Sequence, residues 1–78
     1  MLVDVFRRAE AHGKFSHLVV PKGEPIPQEV TDWEWHDEAR GIELNEGLAS
    51  WPEYGIENPG AQLAKKRYAI TSVKEMTR

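Results

Sequence analysis

"TDWEWHDEARG", Thr31 to Gly41, sets two tryptophans, one histidine and four carboxylates in eleven positions. Whether this stretch coils or extends decides the fold. A helix has some support, since Thr31 with Glu34 three residues on matches a capping box and Gly41 is a stop signal. A helix of this length should also carry an apolar stripe at three- and four-residue spacing. Trp33 and Trp35 would instead lie about 200° apart around its axis. Extended, Trp33, Trp35 and Asp37 share one side while Glu34, His36 and Glu38 share the other. That is the pattern of a half-buried strand with an acid-rich row facing water, and the segment is read as a strand. Past Gly41 the apolar parity changes to Ile42 and Leu44. A bulge at Arg40-Gly41 would return these two to the tryptophan side.

Working outward, Leu2 to Arg8 and Phe15 to Val20 are dense in branched and aromatic residues and read as strands. The segment between them contains Gly13, which suits a hairpin with a longer loop. Val3 and Val5 would share one face of the first strand, with Leu2, Asp4 and Phe6 on the other. Neither face is cleanly polar, so both are expected to be covered. "PKGEPIP", Pro21 to Pro27, ends strand pairing because proline lacks a donor and restrains its predecessor. Pro27 to Val30 suits a single helical turn. Asn45 to Tyr54 is turn-rich, with Leu48, Trp51 and Tyr54 as anchors on the core. Asn58-Pro59 reads as an N-cap and first helical residue, opening a helix to about Arg67 that buries Leu63 and Ala64. Tyr68 to Val73 alternates as a final strand, Tyr68 and Ile70 against Ala69, Thr71 and Val73. The expected class is α+β: a small, mainly antiparallel sheet of three to four strands with one covering helix, order β-β-β-α-β.

"VDVFRR" (Val3 to Arg8), "KFSHLVVPKG" (Lys14 to Gly23) and "YAITSVK" (Tyr68 to Lys74), with "TDWE" at Thr31 and "IENP" at Ile56, resemble a family of short uncharacterised bacterial proteins. The resemblance covers nearly the whole chain. Its motifs are structural, and it implies a bacterial single-domain protein with no assigned activity and no site residues to carry over.

Seventy-eight residues suit one domain, residues 1–78, with a core of modest stability. The chain has no cysteine, which excludes disulfides and thiolate zinc sites and suits a cytoplasmic location. No apolar run reaches the ~20 residues of a membrane span. The net charge of −3 is segregated: +2 over residues 1–23, −9 over residues 24–57 and +4 over residues 58–78. An acidic middle between basic ends suits internal pairing and argues against a nucleic-acid surface.

The candidate chemistry is sparse. On a strand, Glu34, His36 and Glu38 are about 6.7 Å apart per step, whereas metal ligands must converge to ~2 Å from one ion. A weak metal or small-ligand site at His36 and its neighbouring acids is therefore an alternative, and a solvated strand face is the main reading. No nucleophile elbow, phosphate-binding loop or dinucleotide fingerprint is present. No catalytic, metal or cofactor residue is assigned, and the chain is expected not to be an enzyme. Lys65, Lys66 and Arg67 could touch phosphates, but basic residues in a last turn also oppose the helix macrodipole. Trp33, Trp35 and Trp51 are core residues that would double as an interaction patch if partly exposed. The favoured function is thus a protein-interaction or accessory domain, with an unknown protein partner or self-association through a sheet edge or this aromatic patch. Nucleic-acid contact through Lys65 to Arg67 is a second alternative.

Overall fold

The computed structural model describes residues 1–10, 13–30 and 34–72. Strand β1 (Leu2–Ala9) and β2 (Phe15–Pro21) form the expected hairpin, paired from Val3↔Pro21 to Ala9↔Phe15. Its loop is closed by the Glu10 N–H donating to the Lys14 carbonyl at 2.8 Å, with Gly13 at φ 71°. Strand β3 (His36–Glu43) lies antiparallel on the other side of β1. Two short strands, β4 (Ser50–Trp51) and β5 (Ile56–Glu57), make a separate ribbon. Helix α1 (Pro59–Lys66) and strand β6 (Ala69–Ile70) follow, and the main sheet has the order β3-β1-β2-β6. The class is α+β, with one mainly antiparallel four-stranded sheet and one helix, as the pattern of the chain predicts. Among the described residues, no helix is long and apolar enough to cross a membrane.

Both faces of the sheet are covered, because β1 alternates two apolar sets. Val3, Val5 and Val19 point to the face carrying α1 through Leu63 and the ribbon through Tyr54 and Ile56. Phe6, Leu18 and Val20 point to the other, which the proline-rich segment covers with Ile26, Val30 and Trp35. A single 3₁₀ turn at Gln28–Val30 presents Val30 to this layer. Tyr68 and Ile70 join the second cluster while Ala69 joins the first, so the expected alternation holds over these residues, although the strand expected over Tyr68 to Val73 is only Ala69–Ile70 among the described residues.

The bulge at Arg40-Gly41 is present. Val3 pairs with Ile42 but Val5 pairs with Ala39, three positions on, so β3 carries an extra residue there. Asp4 holds this irregularity. Its carboxylate accepts the Gly41 N–H at 2.9 Å and the Gly23 N–H at 3.1 Å. Both glycines have positive φ (62° and 83°), which side chains resist.

Several local expectations change. A second bulge falls at Glu38, because Val5 pairs with Ala39 and Phe6 with Asp37. This extra shift turns Trp35 to the Phe6 face, while Ile42 and Leu44 stay on the Val3 face. The two sets therefore do not share a side, because one bulge would have united them and two do not. Strand β3 starts at His36, after Trp35. Leu48 and Ala64 are exposed rather than core, and Leu44 fills the place given to Leu48. Asn58 sits before the helix in a left-handed conformation with no side-chain cap, its N–H donating instead to the Ala49 carbonyl at 2.8 Å. Trp33 and Val73 lie outside the described residues.

Candidate functional site

The register of three strands places one row of polar side chains across the sheet. His17 on β2 lies opposite Arg7 on β1, which lies opposite His36 on β3. Directly paired residues share a face, so this row continues the Val19–Val5–Ala39 row toward the hairpin end. Phe15, opposite Ala9, comes next. Helix α1 and the ribbon cover the valine row, but their cover stops at His17. Beyond it Phe15 is 49% exposed, a high value for a phenylalanine.

The side chains here are ordered by contact with one another. The Arg7 guanidinium lies over the Phe15 ring, 5.3 Å from its centre, and 3.7 Å from the Glu38 carboxylate. The His17 ring packs against Tyr54 with centres 4.8 Å apart, and Tyr54 meets Trp51 edge-on, also at 4.8 Å. A run of rings therefore extends from half-buried Trp51 through Tyr54 and His17 toward exposed Phe15, with Arg7 across from His17. Thr71 clamps its centre: its hydroxyl donates to the Tyr54 carbonyl at 2.7 Å and accepts the backbone N–H of His17 at 2.7 Å.

Burial lowers the His17 pKa below its ordinary value, offset in part by the Glu38 carboxylate. Its Nδ1 is buried and finds no hydrogen-bond partner among the described residues. Burial raises the Tyr54 hydroxyl, helped by Glu53 and Glu38. Both shifts favour the neutral form of the group, imidazole and phenol alike.

The residues singled out from sequence are dispersed. Trp35 packs under the proline-rich segment and donates its indole N–H to the Val30 carbonyl at 2.9 Å, while Trp51 lies across the sheet on the opposite face. These two cannot form one patch. His36 stands 4.0 Å from Glu34, with both side chains largely exposed, and Glu38 turns to Arg7 instead. Among the described residues no three such side chains gather as a metal site. Lys65 and Lys66 occupy the last turn of α1, with Lys66 over the Tyr68 ring at 4.7 Å. Arg67 ends the helix in a left-handed conformation and pairs with Glu24 at 3.1 Å, so one basic residue does meet the acidic middle.

The chain belongs to a family of unknown function (DUF6139). The family model matches residues 1–77. This agrees with the resemblance read from the strand motifs, and the family brings no activity with it. No curated protein matches, and no solved structure matches.

Arg7, Phe15 and His17 escaped the reading of the sequence because their significance depends on register. The signal was nonetheless present: pairing the hairpin symmetrically about its loop sets Arg7 opposite His17 and leaves Phe15 beside them.

Proposed function

We propose that the chain is a small, non-enzymatic, cytoplasmic interaction module that holds another protein against the hairpin end of its sheet. One observation carries this reading: Phe15 is left exposed beneath Arg7 at the end of a run of rings, where the described helix and ribbon give no cover. Tryptophan, tyrosine and arginine dominate interface energies because they combine large apolar area with directed polar contacts. Arg7 and half-buried Trp51 lie on the same side of the sheet as exposed Phe15, with buried Tyr54 and half-buried His17 between them. The outer edge of β3 is a weaker candidate, since bulges and charged side chains are devices that keep an edge from pairing. The lack of cysteine supports a reducing compartment.

A photo-crosslinking amino acid placed at position 15, with position 48 as an exposed apolar comparison, tests this in the native cell. A discrete adduct should form at position 15 and fade when Arg7 is replaced by alanine. An adduct of twice the chain mass would identify a second copy as the partner. Equal, diffuse labelling at both positions would end the proposal.

A further inference from the structure

The hairpin end of the sheet contains a recess of about 370 Å³, lined among the described residues by Arg7, Arg8, Ala9, Phe15, Glu34 and His36. Its lining sets cationic and donor groups directly beside apolar ones. Arg7 is held in place by the Phe15 ring and by Glu38, yet the 3.7 Å gap to Glu38 is too long for a hydrogen bond. Among the described residues, no hydrogen bond uses its guanidinium N–H groups. A planar fork that lies over an aromatic ring with its donors open to solvent suits a carboxylate, which it can bind through two parallel bonds.

Building on the interaction reading above, we infer that this recess takes the C-terminal residue of the partner protein. The carboxylate lies on Arg7 with His36 beside it, and the last side chain lies on Phe15 and Ala9. A C-terminal residue carries an acid and an apolar group on one Cα, matching the two halves of the lining. An internal aspartate or glutamate offers the acid without the apolar neighbour and must run its chain out of the recess on both sides. The charges at the rim also select a single negative charge. Glu34 stands 4.0 Å from His36, and Glu38 already faces Arg7. A doubly charged phosphate would meet both carboxylates, whereas a carboxylate needs only to take the place of Glu38 on Arg7.

Nuclear magnetic resonance titration of the full chain provides the test, with three probes at millimolar concentration. They are acetyl-Gly-Thr-Val-Phe as the free acid, the same peptide as its C-terminal amide, and hydrocinnamate. The acid should shift the Arg7, Phe15 and His36 signals and bind about tenfold more tightly than the amide. Arg7→Lys, which keeps the charge but loses the fork, should remove most of that difference, and Glu38→Gln should tighten the acid. Unchanged Thr71 and Tyr54 amide signals would show that both variants fold. Equal binding of acid and amide, or indifference to Arg7→Lys, overturns the assignment, as does no binding by any probe. Hydrocinnamate binding as tightly as the peptide acid would overturn the peptide in favour of a small carboxylic acid. If the carboxylate preference fails while the position-15 crosslink persists, the interaction surface stands without this subsite. If both fail, both are wrong.

Discussion

The two ends of β1 carry opposite charges in opposite states. At the Val3 end, the Asp4 carboxylate is buried, and two backbone N–H groups and the Arg40 guanidinium, 3.7 Å away, surround it. At the Ala9 end, the Arg7 guanidinium is half exposed, with a long ion pair and no hydrogen bond among the described residues. One charge is consumed by the fold, since Asp4 holds the Gly41 bulge of β3 with one oxygen and the Gly23 turn after β2 with the other. The other is positioned by the fold and left with donors to offer. A buried charge that lacks partners is costly, whereas an exposed one is solvated by water until something better arrives. The contrast predicts stability at one end of the strand and, on the proposed function, recognition at the other.

Removing Asp4 should produce the largest effect. Asp4→Ala strips the acceptor from Gly23 and Gly41 together, and a hydrogen bond to a charged group is worth about 1.5–3 kcal/mol. A loss of about 3 kcal/mol is expected in urea unfolding, with Asp4→Asn costing about 1 kcal/mol because one acceptor oxygen remains. The same contacts depress the Asp4 pKa, the Gly23 and Gly41 N–H groups first and the Arg40 and Lys22 charges after them. A depressed carboxyl contributes fully above its unfolded value of about 4 and loses that contribution as pH falls through the lower folded value. Wild type should therefore lose more stability than Asp4→Asn on moving from pH 5 to pH 2, and parallel curves would refute the pinning role.

A smaller effect is expected at the cover of the Phe6 face. Trp35→Phe retains most of the buried ring but removes the donor to the Val30 carbonyl. A neutral hydrogen bond contributes about 1 kcal/mol net, so unfolding should shift by about that much. A change near zero would mean that the proline-rich segment is held by its apolar contacts alone.

His17 stands at the boundary between the two ends, and its effect is a slope with pH. Its folded pKa is lowered by burial, so the unfolded chain takes the proton more readily. Stability is complete above the unfolded value of about 6.5 and declines as pH falls toward the folded value. Glu38 and Glu53 oppose this decline and Arg7 adds to it. His17→Gln should flatten the curve between pH 7 and pH 5 while leaving the Asp4 transition below pH 4 in place. If the slope survives the substitution, another group is responsible.

Local pattern made much of this architecture legible. Alternation in Leu2 to Phe6 gave the two covered faces, Gly13 the hairpin, the prolines the end of β2, and the parity change past Gly41 the first bulge. Asn58-Pro59 placed the helix start even though Asn58 does not cap it. What local pattern could not show was the second bulge at Glu38, since no change of parity in Trp35 to Ala39 marks it. That single residue separates Trp35 from Trp51 and dissolves the expected aromatic patch. Asp4 was legible as a member of a covered face, but its role was not, because Gly23 and Gly41 lie far from it in sequence and are brought beside it only by the fold. The exposed ring and the cation at the open end belong to strands that were read correctly, so only their pairing was missing.

The open end should show the smallest change in stability and the largest in binding. Arg7 gives up a screened pair of 3.7 Å, and surface pairs of this kind are worth about 0–1 kcal/mol. Phe15 is half solvated already, so truncating it leaves no closed cavity behind. Arg7→Ala and Phe15→Ala should each unfold within about 0.5 kcal/mol of wild type, while partner capture at this face is abolished. A large destabilisation in either variant would make the row part of the core after all, and the division of labour along β1 would fail. Retained capture in both would separate exposure from recognition, because the ring and the guanidinium would then be open to water without meeting anything else.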